Sequence, residues 1–253
     1  MDKTRRPNMP AIPARRSRIG AVLVYWALVR WGVWSHFDRV WLKIVGPLPH
    51  PSDGPLIAYP NHPAWWDGYM CFLLNRLALR DRFEAYLMME EPELRRYRFF
   101  SWAGCFSVDR HDPRSAARSV DYIGRLLAER HDRGLYIFPQ GALTPNDRRP
   151  LAVYPGLAHI ARRAGGATLW PIALRYEFRG EQRPEAFIRA GPAHYAPAGA
   201  DARALTNEVG RRLTAAADAL RDELAAGQLA GYQALLHGRP GVNRLFDMLR
   251  VGG

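Results

Sequence analysis

Short apolar segments alternate with amphipathic segments through the middle of the chain, and this alternation constrains the fold more than any other feature of the sequence. Residues 56–59 and 135–138 are apolar runs of strand length. In the segment 202–226, leucine and valine recur on one face of a helix. Strands that alternate with helices favour an α/β fold with crossover connections. We predict strands at 56–59, 84–89, 105–108, 135–138, 168–176 and 186–189, and helices at 66–79, 92–102, 113–131, 155–163 and 202–226.

The chain has 253 residues, which fits one large domain with an appended segment. We expect a disordered basic arm at 1–18 and a membrane-surface helical segment at 19–46. The α/β domain then spans 47–198, and 199–253 is a C-terminal helical extension of the same domain. The predicted fold class is therefore α/β, a mixed sheet flanked by helices, with an N-terminal membrane-associated helical segment.

The composition limits the classes of partner. Lysine and arginine total 36 against 24 acidic residues, a net charge of +12, which favours an acidic partner such as anionic lipid or an acidic carrier protein. The arginines are spread along the chain instead of being concentrated in one helix with aromatic neighbours, so we expect no nucleic-acid partner. The two cysteines, Cys71 and Cys105, are too few for a disulfide scaffold or a four-cysteine zinc site.

The N-terminal segment combines positive charge with tryptophan. An uncharged run, 19–29, follows the basic arm, and Arg30 interrupts it. As a helix, residues 19–34 would cover about 24 Å, against roughly 30 Å of membrane hydrocarbon. The run is therefore a poor candidate for a membrane-spanning helix, and both a monotopic and a spanning arrangement stay open. The basic residues of the arm are Lys3, Arg5, Arg6, Arg15, Arg16 and Arg18.

A second pattern continues this segment. Val33, Phe37, Val40, Trp41 and Ile44 recur at spacings of three and four, which predicts an amphipathic helix. Tryptophan favours the boundary between lipid and water. We expect a peripheral or monotopic protein on the cytoplasmic face of an anionic membrane. The alternative is a helix that packs on the protein's own core.

A histidine and an aspartate follow the first predicted strand. His62 and Asp67 are five positions apart across a turn into a helix, so their side chains can meet. An imidazole with one nitrogen bound to a carboxylate presents the other nitrogen as a base. Such a pair can deprotonate a hydroxyl. No G-x-S-x-G motif occurs, so a covalent serine hydrolase is not expected.

Three further segments follow the Asn61-His62-x-x-x-x-Asp67 motif in order. They are Gly104-Cys105-Phe106-Ser107-Val108-Asp109-Arg110, Phe138-Pro139-Gln140-Gly141 and Trp170-Pro171-Ile172. Over about residues 55–175, this ordered set resembles the four motif blocks of the glycerolipid acyltransferases, the family of 1-acylglycerol-3-phosphate acyltransferase.

The resemblance implies an enzyme that moves a fatty acyl chain to a hydroxyl of a lysophospholipid acceptor. His62 would be the general base and Asp67 its partner. The donor would be a thioester on coenzyme A or acyl carrier protein, and no metal or prosthetic group would be needed. Backbone amides near Gly141 are candidates for holding the oxyanion. The implied substrate-binding residues are Asn61, Gly104, Phe106, Arg110, Phe138, Pro139, Gln140, Gly141 and Pro171.

The third block departs from the family pattern, Phe-Pro-Glu-Gly-Thr-Arg-Ser. Gln140 replaces the acid, and Leu143 replaces the arginine. Gln140 suits a neutral, hydroxyl-rich group. Leu143 cannot hold a phosphate, so a phosphate would have to be held by another arginine, and Arg148 and Arg149 of the following loop are the candidates. A hydroxyl of a glycolipid or a glycosylated carotenoid is therefore an alternative acceptor. A lipid-binding protein without turnover is a second alternative, against which the intact His62 and Asp67 pair argues.

Overall fold

Nine strands form one mixed sheet in the part of the chain that the computed structural model describes, residues 9–239 and 241. Six of them match the predicted strands to within three residues at each end. The strands are β1 Arg39–Ile44, β2 Leu56–Pro60, β3 Glu84–Glu90, β4 Cys105–Val108, β5 Arg133–Tyr136, β6 Gly166–Glu177, β7 Glu185–Ala190, β8 His194–Pro197 and β9 Gln233–His237.

Helices cover both faces of this sheet. Two of them include a π-helical turn, at Tyr25–Arg30 and Leu74–Ala78, and a 3₁₀ helix, Arg98–Ala103, precedes β4. The α-helices are α1 Arg18–Val24, α2 Trp31–His36, α3 Asp67–Leu73, α4 Glu91–Arg96, α5 Pro113–Glu129, α6 Gly156–Arg163 and α7 Ala202–Ala225.

The sheet is parallel at its centre and mixed towards one edge. Its order is β4-β3-β5-β2-β6-β7-β1-β9, and β8 pairs with the first residues of β6. The five strands from β4 to β6 are parallel to their neighbours, whereas β7 is antiparallel to β6. The predicted fold class, a mixed α/β sheet flanked by helices, is confirmed.

Two hydrophobic cores lie on the two sides of the sheet. Successive residues of β2 enter them alternately, as the two-residue period of a strand requires. Leu56 and Ala58 pack with residues of α1 to α4, and Ile57 and Tyr59 pack with residues of α5, α6 and α7. The central strand β2 is therefore buried along its whole length, and the loop that follows it is held at the centre of the molecule.

The predicted amphipathic helix over 33–44 is wrong in its second half. The helix ends at His36, and β1 follows, paired in parallel with β7 over six residues. Val40 and Leu42 are buried, whereas Arg39, Trp41 and Lys43 are partly exposed, so the segment also alternates as a strand does. The backbone pairing with β7 decides between the two patterns, because tertiary context overrides local spacing.

The basic arm is ordered where the structure describes it, contrary to the predicted disorder. Ile12 is buried, its amide donates to Ser107 Oγ at 2.9 Å, and its carbonyl accepts the Ser107 amide at 2.9 Å. The Arg16 guanidinium donates to the Ala85 carbonyl at 3.0 Å. This segment therefore covers the open edge of β4. Lys3, Arg5 and Arg6 lie outside the described residues.

The C-terminal segment is only partly the predicted helical extension. The long helix α7 is present, and Asp201 caps its start by accepting from the Ala204 amide. Beyond it, β9 pairs antiparallel with β1, and Leu236 is buried against the sheet. Strands β8 and β9 were not predicted, because each is four or five residues long and lacks an apolar run of strand length. Residues 240 and 242–253 lie outside the described residues.

Candidate active site

The loop that joins β2 to α3 is fixed to the neighbouring strand β6. The Asn61 side chain donates to the Leu174 carbonyl at 3.0 Å and accepts the Leu174 amide at 2.6 Å. The Asn61 amide donates to the Ile172 carbonyl at 3.2 Å. Asn61 is buried, and both ends of its side chain are engaged by the backbone. The structure therefore gives Asn61 a role in holding the loop, instead of the predicted contact with substrate.

His62 and Asp67 meet across this loop, as their spacing predicts. His62 Nδ1 lies 2.7 Å from Asp67 Oδ2, which also accepts the Ala64 amide at 2.9 Å. Tyr176 donates to Asp67 Oδ1 at 2.6 Å. Asp67 is completely buried. Burial raises the pKa of its carboxyl, and the hydrogen bonds from His62, Tyr176 and Ala64 oppose that rise.

Further contacts fix the orientation of the His62 ring and its backbone. The ring stacks on Phe138, with centroids 4.1 Å apart and planes 14° apart. The His62 amide donates to Gln140 Oε1 at 2.8 Å, and the His62 carbonyl accepts the Thr144 amide at 2.8 Å. Gln140 is thus directed at the loop of the histidine and is not part of the cavity wall, and its contact with a hydroxyl-rich acceptor stays a prediction. The first and third motif blocks form one connected unit.

His62 lines a large cavity of about 1920 Å³. The part of the wall that comes from α3 and the turn before it, from β3 and from the 3₁₀ helix is mainly apolar. The part that comes from α6 carries His159, Arg162 and Arg163. The apolar part includes Trp65, Tyr69, Phe72, Leu87, Met89 and Phe100.

Arg110 lies at this cavity, as predicted, but other groups of the protein already hold its guanidinium. Its Nε is 3.2 Å from Glu90 Oε1, and Nη1 donates to the Gly141 carbonyl. Phe138, Pro139 and Gly141 also line the cavity. The Gly141 amide donates to the Phe138 carbonyl at 3.0 Å in a turn, so this amide is not directed at an oxyanion.

Three predicted substrate contacts lie elsewhere. Phe106 is completely buried in the core beneath α5, and Pro171 is paired with Tyr59 inside the sheet. Gly104 has φ +103°, and a Cβ there would lie 2.4 Å from the Ala85 carbonyl oxygen, so glycine is required by the turn. Motif blocks thus contain residues that build the strands as well as residues that face the cavity.

The loop arginines have structural partners, and so do the two Arg-His-Asp triplets of the sequence, at 110–112 and 130–132. Arg149 forms an ion pair with Asp218 of α7 at 2.7 Å and does not line the cavity, so it does not replace the missing arginine at Leu143. Arg148 is exposed outside the cavity wall. Asp112 of the first triplet caps α5, and Asp132 of the second pairs with Arg130 at 2.5 Å.

The sequence alone did not indicate a role for Tyr176 or for the basic side chains of α6. Tyr176 follows the fourth motif block by only four residues, and its hydroxyl reaches Asp67 because β6 passes beside the β2–α3 loop. The signal for the α6 residues was their spacing, since His159, Arg162 and Arg163 share one helical face. Neither signal is specific without the fold.

Comparison with known proteins identifies the family. A family model described as Acyltransferase matches residues 42–175, just over half of the chain. The chain belongs to the acyltransferase family. It is therefore an enzyme that transfers acyl groups, and the match covers β2, α3 and the motif blocks that surround the cavity.

A solved structure shares the fold. The crystal structure of the 1-acyl-sn-glycerophosphate (LPA) acyltransferase PlsC from Thermotoga maritima is similar, with a TM-score of 0.55 and 15% sequence identity. The similarity covers 82% of this chain and 83% of that chain. At this level of identity it shows a common fold. No curated protein matches the sequence at a significant level.

Proposed function

We propose that this acyltransferase moves a fatty acyl chain from a thioester to a hydroxyl of a lysophospholipid acceptor, with His62 as general base. The observation that carries the proposal is a hydrogen bond between His62, which lines a large cavity, and Asp67, which is completely buried. A carboxylate in this position fixes the tautomer of the imidazole and stabilises the imidazolium that forms during the reaction.

The geometry of the pair supports the following reaction. Asp67 occupies Nδ1, so Nε2 is the nitrogen left to accept a proton from the acceptor hydroxyl. The hydroxyl oxygen attacks the thioester carbonyl carbon and forms the new C–O bond. The tetrahedral intermediate then collapses, the C–S bond breaks, and the leaving thiolate takes the proton from His62. Asp67 remains ionised throughout, and His62 returns to its neutral form.

The cavity supports the use of two lipid-like substrates. Its volume of about 1920 Å³ exceeds the several hundred cubic ångströms, up to roughly 1,000 Å³, typical of a site for one small ligand. Its apolar wall suits an acyl chain. The basic residues of α6 suit a phosphate, which both a coenzyme A or carrier-protein thioester and a lysophosphatidate contain. Charge and volume together therefore support a phosphorylated donor or acceptor.

A neutral glycosylated acceptor is a second candidate, and one observation favours it. Leu143 lines the cavity and is 57% exposed at the position where the family pattern has an arginine. An apolar side chain there offers no charge to a phosphate. The basic residues come from another element, α6, so the two candidates differ in which side chains would meet the acceptor headgroup.

We also propose that the enzyme acts at an anionic membrane surface on the cytoplasmic face. Large apolar side chains are exposed along the N-terminal helix, and Trp102, which lies against Gly20 of that helix, is exposed as well, as is Trp65. Tryptophan at a surface favours the lipid–water boundary. Within residues 9–239 and 241, none of the helices is both long and apolar enough to cross a bilayer. The exposed residues of the helix are Ile19, Val22, Leu23, Trp26 and Trp31.

Point substitutions test the membrane proposal better than truncation, because a deletion of 1–45 would remove β1 from the sheet. Trp26→Ala with Trp31→Ala should reduce sedimentation with anionic vesicles, since the pair supplies exposed apolar area. Exchange of the exposed Tyr154, Tyr154→Ala, is the matched control away from this helix. Equal sedimentation of both variants and the wild type would contradict the proposal.

The proposed activity is tested by an assay of the purified full-length protein. A labelled fatty acyl chain is offered as its coenzyme A thioester and as its acyl carrier protein thioester. The acceptors are lysophosphatidate, other lysophospholipids and a neutral glycolipid. We expect transfer to at least one lysophospholipid. Transfer to the glycolipid alone would favour the second candidate, and failure of every thioester would contradict the proposal.

A further inference from the structure

The carboxylate of Asp67 has three hydrogen-bond donors, and they are divided unequally between its two oxygens. Oδ2 accepts from the His62 ring and from the Ala64 amide. Tyr176 OH, at 2.6 Å, is the donor to Oδ1. The carboxylate is completely buried, so the orientation of its two oxygens depends on these protein groups and not on bulk water.

Tyr176 itself is held firmly in place. It lies on β6 two residues after Leu174, whose backbone is clamped by the Asn61 side chain. Its ring packs against Phe37, with centroids 5.7 Å apart. Strand β6 therefore contacts the β2–α3 segment at two points. The Leu174 backbone binds the Asn61 side chain, and the Tyr176 hydroxyl binds Asp67. Strand β6 thus positions both the loop that carries His62 and Asp67, the hydrogen-bond partner of His62.

We infer that Tyr176 is a positioning residue for the acyl-transfer reaction, and that its hydroxyl holds the Asp67 carboxylate and sets the basicity of the His62–Asp67 pair. This inference rests on the proposed function. Tyr176 does not line the cavity among the described residues, so it acts on the reaction through Asp67.

The groups around the carboxylate make the hydroxyl a donor. Burial, followed by the charge of Asp67, keeps the pKa of Tyr176 well above its usual value, so the phenol stays protonated. Cys71 of α3 also faces Asp67, and burial raises the pKa of its thiol well above the usual value. Cys105 of β4 faces Cys71 and is likewise protonated because burial raises the pKa of its thiol to about 12. His62 is thus the group beside Asp67 that changes charge during turnover.

The sign of the expected pH effect follows. A hydrogen bond to the ionised carboxylate stabilises its negative charge and weakens its pull on a proton. Loss of the hydroxyl makes the pair of His62 and Asp67 bind a proton more readily. The base is then unprotonated only at higher pH, and the acid limb of the kcat/KM profile moves upward in pH.

The test is Tyr176→Phe, which removes one oxygen atom and keeps the ring. We expect kcat to fall about tenfold, in line with a charge-assisted hydrogen bond, with little change in KM and with the acid limb displaced to higher pH. Tyr136→Phe is the matched control, because the Tyr136 hydroxyl is buried in the core of the same face and has no hydrogen-bond partner among the described residues. This control should keep the wild-type rate and pH profile.

A double substitution separates positioning from packing. In an Asp67→Asn background, Tyr176→Phe should have little further effect on kcat, because the carboxylate that it acts on is already gone. If Tyr176→Phe does not fold, Tyr176→Met supplies the same comparison, since methionine fills apolar gaps. An unchanged pH profile, or a full and independent loss in the Asp67→Asn background, would overturn the inference.

These outcomes differ from failure of the proposed function itself. If His62→Ala kept near-normal turnover, the general-base mechanism would be wrong, and Tyr176 would have nothing to position. If His62→Ala were inactive while Tyr176→Phe matched the wild type in rate and pH profile, only the role of Tyr176 would be rejected.

Discussion

The buried half of the site and the half that faces the cavity are built on different physical principles. Asp67 is completely enclosed, and both of its oxygens have donors. On the cavity wall, Leu143 and Arg162 are exposed. A buried polar network loses much when one member is removed, whereas an exposed side chain can be exchanged at small cost to the fold. We infer that the chemistry depends on the buried half and that substrate preference depends on the exposed half.

The largest effect should come from breaking the buried half. Asp67→Asn keeps the shape of the side chain but favours the wrong tautomer of His62, so we expect kcat to fall by about 10³-fold or more. Burial raises the pKa of this carboxyl, so the folded chain keeps its proton to a higher pH than the unfolded chain does. The free energy of unfolding therefore falls as the pH rises and the carboxyl ionises. The variant should therefore show a weaker fall of Tm between acid and neutral pH than the wild type, and a lower Tm overall, because its amide nitrogen cannot accept from all three donors. Steady-state kinetics and calorimetry check the two effects, and near-normal kcat would contradict the first.

A smaller effect is expected from adding charge to the exposed half. Leu143→Arg restores the cation of the family pattern at the cavity wall and leaves Gln140, which holds the His62 amide, unchanged. A charge-assisted contact contributes about 1.5–3 kcal/mol, so kcat/KM for lysophosphatidate relative to a neutral glycolipid should rise about tenfold. Leu143→Gln, which is polar and uncharged, is the control. An equal gain with glutamine would show that charge is not the cause.

Removing charge from the same half should have a smaller effect again. Arg162 is exposed at the cavity wall, so Arg162→Gln should raise KM for the phosphorylated substrate about fivefold and leave kcat nearly unchanged. Arg148→Gln removes an equally exposed arginine outside the cavity and serves as the control. Kinetics with the donor and the acceptor varied in turn would show which of them Arg162 contacts. Equal KM changes in both variants would indicate a general effect of charge.

The smallest effect on activity is expected from a substitution of His194, whose ring nitrogens are buried. Neither ring nitrogen of His194 has a hydrogen-bond partner among the described residues. Burial, helped by Arg212 and Arg211, lowers its pKa to about 4. The unfolded chain binds a proton at about pH 6.5 and the folded chain does not, so stability should fall as the pH falls from about 6.5 towards 4.

Denaturant unfolding at several pH values checks this prediction. His194→Leu should weaken the pH dependence of the free energy of unfolding and leave kcat within about twofold of the wild type, because His194 does not line the cavity. His131→Leu replaces an exposed histidine as the control. An unchanged pH dependence in His194→Leu would show that His194 is not the group responsible.

The same contrast explains what the sequence could predict. The strands β2, β4 and β6 and the helices α5 and α7 were predicted correctly. The spacing of apolar residues within each of these segments is enough to indicate a buried strand or an amphipathic helix. The pairing of His62 with Asp67 was predicted because it is local. In contrast, β1 was predicted as a helix, because only its pairing with β7 distinguishes the two periods.

Contacts between distant segments were the main source of error at the site. Asn61 and Gln140 hold backbone groups of β6 and of the His62 loop, and no spacing in the sequence specifies that. Tyr176 is 109 residues from Asp67 and reaches it through the order of the strands. The ordered arm around Ile12 is also a long-range contact, made across 95 residues to Ser107. Such contacts are known only once the topology is known.

The central claim is that His62, held by the buried Asp67, is the base for acyl transfer. The most direct test is the kcat/KM of His62→Ala for transfer from an acyl thioester, measured beside His131→Ala, an exposed histidine outside the cavity. We expect a loss of about 10³-fold or more in His62→Ala, with an unchanged circular dichroism spectrum, and a rate within about twofold of the wild type in His131→Ala. A kcat/KM for folded His62→Ala within about tenfold of the wild type would contradict it.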